Sequence, residues 1–257
     1  MQQEHIDGSR THTRLERKCG FYEFYIKRLL DIVCASATII VFSWLYVILA
    51  VLIWGKLGSP VLFKQPRPGK IDPKTGREKI FSMYKFRSMT NERDKNGKLL
   101  PDDVRLGRFG KVLRVTSLDE LPEAFNILKG DMSIIGPRPQ LVRDMVFMTE
   151  EQRMRHTAKP GLSGLAQVNG RNNISWEKKI EFDLEYINKG ITFLGDMKII
   201  LLTVGKVLKR SDTVRVGTVS DMDFGDWLMA EGKIDQETYE KKQEEARDLL
   251  GVKHERK

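Results

Sequence analysis

A chain of 257 residues with 40% apolar content has material for one ordinary domain with appendages and a real core, which excludes a disordered polymer. Lys and Arg outnumber Asp and Glu by 44 to 35, and the formal charge of +9 favours phosphates, acidic lipid or nucleic acid without choosing among them. Two cysteines, Cys19 and Cys34, predict no disulfide, and the histidines His5, His12, His156 and His254 are too scattered for a metal-ligand spacing.

Residues 1–25 form a charged N-terminal tail, and residues 26–59 a membrane-embedded segment. From Ile32 to Trp54 no charged residue occurs. As a helix this run would be roughly 34 Å long, near the thickness of a bilayer core. Its small-residue stretch, Ala35-Ser36-Ala37, precedes the apolar block, the wrong order for a cleaved secretion signal. Basic residues crowd both flanks: Lys27 and Arg28 before the run, Lys56, Lys64, Arg67 and Lys70 after it. A re-entrant helix would keep both flanks on one side, with Ser43 bending it by bonding back to a carbonyl one turn earlier. This form is preferred to a straight span.

After Gly58-Ser59-Pro60 a polar, punctuated region, residues 60–210, begins with Gln65-Pro66-Arg67-Pro68-Gly69. Ile80 to Met89 reads as a strand with Phe81 and Met83 inward, projecting Lys85 and Arg87 from one face, either to grip a phosphate or as a solvated edge. An exposed loop from Asn91 to Asp103 precedes a helical pattern from Val104 to Leu113. Between Gly190 and Ser211, Leu194, Met197, Leu201, Val204 and Leu208 recur at helical spacing beside Lys198, Lys206, Lys209 and Arg210, fitting either a membrane-surface helix or a core helix with a basic edge. The charged extension 211–257 carries a predicted helix from Asp235 to Leu250 and no catalytic constellation.

Thr116-Ser117-Leu118-Asp119-Glu120-Leu121-Pro122 places adjacent carboxylates at the start of a helix expected to continue through Phe125 and Leu128. Ser117 and Glu120 match a capping box, which is a sufficient structural reason for them. The functional reading is a carboxylate nucleophile toward phosphorus, with a divalent cation held by the same pair. Downstream, Gly136-Pro137-Arg138-Pro139 frames one guanidinium between two prolines, suited to a diphosphate. Gln167-Val168-Asn169-Gly170-Arg171-Asn172 offers another arginine among amides. No Walker-type loop or dinucleotide fingerprint occurs, which disfavours an ordinary ATPase or a dinucleotide oxidoreductase.

Taken in order, Lys27-Arg28 with Asp31, Gln65-Pro66-Arg67-Pro68-Gly69, Tyr84-Lys85-Phe86-Arg87-Ser88-Met89, Ser117-Leu118-Asp119-Glu120-Leu121, Lys129-Gly130-Asp131-Met132-Ser133, Gly136-Pro137-Arg138-Pro139 and Gln167-Val168-Asn169-Gly170-Arg171 resemble the bacterial sugar transferases, specifically the small monotopic polyprenyl-phosphate phosphoglycosyl transferases. The resemblance spans Tyr25 to Arg210. One departure is Ser43-Trp44, where the family commonly has Ser-Pro. The resemblance implies an α+β fold, with an N-terminal re-entrant membrane helix, short strands and amphipathic interfacial helices, on the cytoplasmic face of a bacterial inner membrane.

It also implies a reaction in which Asp119 attacks the sugar-bearing phosphate of a UDP-sugar, releases UMP and passes the phosphosugar to polyprenyl phosphate. Glu120 would help to bind Mg2+ or manage the proton. Lys85, Arg87, Arg114, Arg138, Gln167, Arg171 and Asp183 form the implied substrate-binding set. Asn169-Gly170-Arg171-Asn172 with Trp176 resembles members that use N-acetylated amino sugars. Donor, lipid acceptor and membrane lipids are the implied partners, and self-association is left open. A non-catalytic scaffold binding anionic lipid is the rival, but it leaves Asp119, Glu120 and Arg138 unexplained. Nucleic acid is not an expected partner, since the basic residues form no binding module.

Overall fold

The computed structural model describes residues 17, 19–170, 174–208 and 222–251. A π-helical turn, Tyr22–Ile26, leads into α1 (Lys27–Val41), and α2 (Ser43–Leu57) follows after Phe42. The arms are bent by 62°, so the long uncharged run is a bent helix pair able to re-enter a membrane. No single helix among the described residues is long and apolar enough to cross one. The break sits at Phe42, with φ −98° and ψ 13°. The bond expected of Ser43 is made by Thr38, whose Oγ1 donates to the Cys34 carbonyl at 2.8 Å, while Ser43 opens the second arm.

One face of α2 is packed and the other bare. Leu49 and Ile53 are buried, whereas Trp44, Val47, Val51 and Trp54 stand exposed, an arrangement suited to lipid rather than water. Ile53, at 0% exposure, packs with Leu49, Phe86 and Leu113. Ile53→Ala is expected to cost about 2–5 kcal/mol, read as a lower melting temperature in detergent.

The globular part starts with a hairpin of β1 (Leu62–Ile71) and β2 (Glu78–Phe86), paired from Leu62 with Phe86 to Pro68 with Ile80. Pro66 and Pro68 are tolerated because this two-stranded sheet leaves β1 one unpaired edge. The strand expected from Ile80 to Met89 ends at Phe86, so Arg87 falls just beyond it. The helix expected over 104–113 is two, α3 (Asp102–Arg105) and α4 (Arg108–Val115). Gly110 in α4 lies so close to β2's exit that a Cβ there would fall 1.9 Å from the Ser88 carbonyl oxygen.

A 3-10 turn, Leu118–Glu120, leads to α5 (Glu123–Lys129) and β3 (Ser133–Ile135). Then come α6 (Val142–Met145), α7 (Glu150–Arg153) and β4 (Gly161–Ser163), which pairs parallel to β3. The segment ends with α8 (Leu165–Val168), α9 (Trp176–Asn188) and α10 (Phe193–Leu208). Leu194, Met197, Leu201 and Val204 lie on the exposed side of α10, while Ile199 and Asp196 face inward.

Polar contacts fasten α1 to this domain. Arg28 donates to the Ile127 and Leu128 carbonyls at 2.7 and 2.9 Å, satisfying the open end of α5. Asp31 accepts from Ser133 Oγ at 3.0 Å and the Ile134 amide at 2.9 Å, and Lys27 pairs with Asp196. The extension contributes α11 (Phe224–Ala230) and α12 (Gln236–Leu249). Phe224 is buried with Met148, Trp176 and Ile180, and its amide donates to Asp144 at 2.9 Å. Residues past the motif-bearing region therefore pack onto it.

Candidate active site

The Leu118–Glu120 turn hangs between the membrane arm and the hairpin. Leu118 and Leu121 pack into the cluster of Leu49, Ile53, Phe86 and Leu113, and Tyr46 on α2 donates its hydroxyl to the Leu121 carbonyl at 2.6 Å. The anticipated capping box does not form. Ser117 adopts φ +55°, the only positive φ of a non-glycine residue among those described, and its side chain caps nothing. The helix proper starts at Glu123, leaving Asp119 and Glu120 in a separate tight turn.

Glu120 is drawn away from that cap by cations. Lys85 Nζ donates to its Oε1 at 2.8 Å and Arg138 Nη2 at 3.2 Å. Burial pushes the Glu120 carboxyl upward, but Lys85 and Arg138 outweigh it and hold it well below the usual range. A third carboxylate, Glu123, places Oε1 3.2 Å from Lys85 Nζ, within ion-pair distance but outside hydrogen-bond geometry. Burial raises Glu123 to about 7 despite Lys85.

Asp119 is buried and makes no ion pair among the described residues. Burial and then Glu120 raise its carboxyl to about 6, with Lys85 and Arg114 acting the other way. Such a group is mostly ionised at neutral pH yet poorly solvated, the condition of a reactive oxygen nucleophile.

Of the other anticipated residues, Arg138 keeps 43% of its side chain exposed at the cluster's edge. Arg114 Nε donates to Ser88 Oγ at 3.0 Å. Arg87 is placed differently from a phosphate grip: it donates to the Leu57, Ser59 and Met89 carbonyls, locking the exit of α2 to the end of β2. Asp183 is buried against Arg155, which also donates to the Arg138 carbonyl at 2.7 Å. Gln167 is buried, and neither of its amide atoms has a hydrogen-bond partner among the described residues. Arg171 lies outside the described residues.

Sequence reasoning missed Glu123, which reads as an ordinary acid in a helix's first turn, and Asn126. The fully buried Asn126 side chain accepts from the Tyr84 amide at 2.9 Å and donates to the Ser82 carbonyl at 2.8 Å. It replaces a strand at β2's open edge and fixes α5 beside Lys85. Only the rarity of a buried Asn could have pointed to it.

No grouping of three His, Cys, Asp or Glu residues that would cage a metal occurs among the described residues. Magnesium asks for less, one or two carboxylates with water and substrate phosphates completing its shell. Asp119 fits that demand, since a cation would relieve a carboxylate that burial disfavours; Glu120 would share it only by loosening Lys85 or Arg138.

A family model described as bacterial sugar transferase matches residues 22–210. The chain is 49% identical over 189 residues to an uncharacterized sugar transferase, EpsL, of Bacillus subtilis (strain 168), covering 71% of this chain and 87% of that one. It is 40% identical over 213 residues to the UDP-glucose:undecaprenyl-phosphate glucose-1-phosphate transferase of Klebsiella pneumoniae, covering 79% of this chain and 44% of that one. It is 38% identical over 195 residues to the UDP-N-acetylgalactosamine-undecaprenyl-phosphate N-acetylgalactosaminephosphotransferase of Aeromonas hydrophila, covering 72% and 44%. The chain spans less than half the length of the latter two.

Proposed function

The chain belongs to the bacterial sugar transferase family, and on that premise we propose that it moves a sugar 1-phosphate from a UDP-sugar to undecaprenyl phosphate at a bacterial inner membrane, with its catalytic domain on the cytoplasmic face. The observation that carries this reading is Asp119: a buried carboxylate with no ion pair among the described residues, in a cation-rimmed turn that hangs from a bent apolar helix pair.

An Asp119 oxygen attacks the phosphorus that bears the sugar. The bond from that phosphorus to the bridging oxygen breaks, and UMP leaves with the electron pair. A phosphate oxygen of the lipid acceptor then attacks the same phosphorus and expels the Asp119 carboxylate. Asp119 would hold a magnesium ion, Glu120 joining it if Lys85 or Arg138 loosened, and the ion when bound would supply charge neutralisation for the phosphate oxygens. Lys85 and Arg138 orient Glu120, and Arg138's exposed part reaches the diphosphate, with Arg114 and Arg171 as further cationic grips. Arg87, Gln167 and Asp183 act from behind as positioning residues. The preferred donor is of the UDP-HexNAc type, a preference resting on residues 169–172, because Trp176 is packed against Phe224.

The test is UMP release from a panel of UDP-sugars by the detergent-purified chain. Release from one sugar, dependent on polyprenyl phosphate and lost reversibly on chelating magnesium, is expected. Folded protein giving no UMP with any donor would return the chain to a lipid-binding scaffold.

A further inference from the structure

A second polar site lies at the root of α1, sharing no residue with the carboxylate cluster. It is a cavity of about 220 Å³ whose charged lining is Glu23, Lys27, Arg28, Asp31, Lys70 and Lys159. Most of these charges are already answered. Glu23 pairs with Arg17, and Lys27 with Asp196, which also accepts from Tyr22 and Tyr186. What is left is Arg28, Lys70 and Lys159 against Asp31, a surplus of two positive charges facing a common space. The nearby Asp131 already has Lys79 at 3.5 Å.

Arg28 does not discharge the surplus, because its partners are the neutral carbonyls of Ile127 and Leu128. Lys70 and Lys159 make no ion pair among the described residues. Arg28 and Lys159 meet across Gly130, where an added Cβ would lie 3.2 Å from Arg28 Nη2 and 3.5 Å from Lys159 Nζ. Burial, with Arg28 and Lys70 adding to it, draws the Lys159 amine below its ordinary value. Like charges held together in a partly enclosed space are costly unless an anion joins them.

The position of the cavity selects the anion. Phe24 lines it, and Phe21 and Tyr25 stand exposed beside it, just before the apolar arm. Aromatic rings with basic residues at the end of a membrane-seeking helix mark the lipid headgroup layer. We propose that this cavity binds a phosphate anion supplied by the headgroup of an anionic phospholipid. Bound there, the phosphate would bridge α1 to the end of β1 carrying Lys70 and to the loop carrying Lys159, adding a lipid-dependent tie between membrane arm and domain.

Cys19 is exposed on the cavity lining and reports its occupancy. In full-length, detergent-purified protein carrying Cys34→Ala, dihexanoylphosphatidylglycerol is expected to slow alkylation of Cys19 saturably, and dihexanoylphosphatidylcholine to do so weakly. Lys70→Gln with Lys159→Gln should raise the half-protecting concentration at least about tenfold with the unprotected alkylation rate unchanged. Lys70→Arg with Lys159→Arg should retain protection, which separates lost charge from lost fold. Inorganic phosphate at matched ionic strength distinguishes the sources: protection as strong as by the lipid would support the phosphate site and assign it to soluble phosphate. Equal protection by both lipids that survives the glutamine variant, or no protection by lipid or phosphate, would overturn the proposal.

Discussion

Asp119→Asn is expected to lose UMP-releasing turnover by at least about a thousandfold while unfolding at the same or a higher temperature than the native chain. The two halves of that expectation come from the same burial. An amide has no oxygen able to form the acyl phosphate, so chemistry stops. The native carboxyl is raised from 3.8 to about 6, so the folded state binds the proton more tightly than the unfolded one. Stability contributed at this position therefore falls as pH rises from about 4 through 6, and above that range the native chain carries a burden of up to roughly 3 kcal/mol that asparagine removes. Native turnover should fall as the medium is acidified through about 6. Thermal unfolding at pH 8 together with a pH–rate profile checks both. Turnover in the asparagine variant near the native level would remove Asp119 from the nucleophile's role.

The second large effect is expected on stability, from Lys85→Met. One ammonium stands 2.8 Å from Glu120 and 3.2 Å from Glu123, and it also counteracts the burial of Asp119. Removing it leaves a buried cluster of carboxylates with Arg138 as the close remaining partner. Breaking a buried pair from one side costs about 3–5 kcal/mol, and that is the expected loss near pH 8. The sign with pH follows from the carboxylates. Without Lys85 their folded pKa values move upward, so the variant's deficit grows as pH rises through them. Native Glu120, held low, instead supports the fold above the ordinary glutamate range and loses that support on acidification. Melting temperatures at pH 5 and pH 8 should therefore diverge more for Lys85→Met than for the native chain, with Lys85→Arg close to native. A deficit independent of pH would point to lost packing of the lysine stem.

The bent helix pair and the small α+β domain were legible because they rest on long-range composition: 23 uncharged residues, then punctuated polar sequence. The Asp119-Glu120 pair was visible because the two acids are neighbours in sequence. The conformation of their turn was not. Ser117 and Glu120 satisfy a capping pattern locally, but Lys85 and Arg138, distant in sequence, claim the Glu120 carboxylate, and tertiary ion pairing overrides the cap. The bend was anticipated within a residue, yet its hydroxyl came from Thr38, because nothing in the sequence ranks one back-bonding side chain above another. Asn126 and the Arg155–Asp183 pair were invisible for a similar reason: each acts on a partner dozens of residues away. The packing of Phe224 beside Trp176 likewise lies beyond any local pattern.

The bond from Tyr46 to the Leu121 carbonyl makes the second arm a lever. Its fulcrum is the Arg87 lock at residues 57–59, about 18 Å of helix from Tyr46, so a tilt of about 5° carries the tyrosine roughly 1.6 Å. Displacements of that size at reacting atoms change rates by orders of magnitude. Hydrophobic mismatch is one influence on the tilt of an embedded helix beside its packing, so a change of bilayer thickness that tilted α2 would be passed to the carboxylate turn through this bond and the Leu49 and Ile53 contacts.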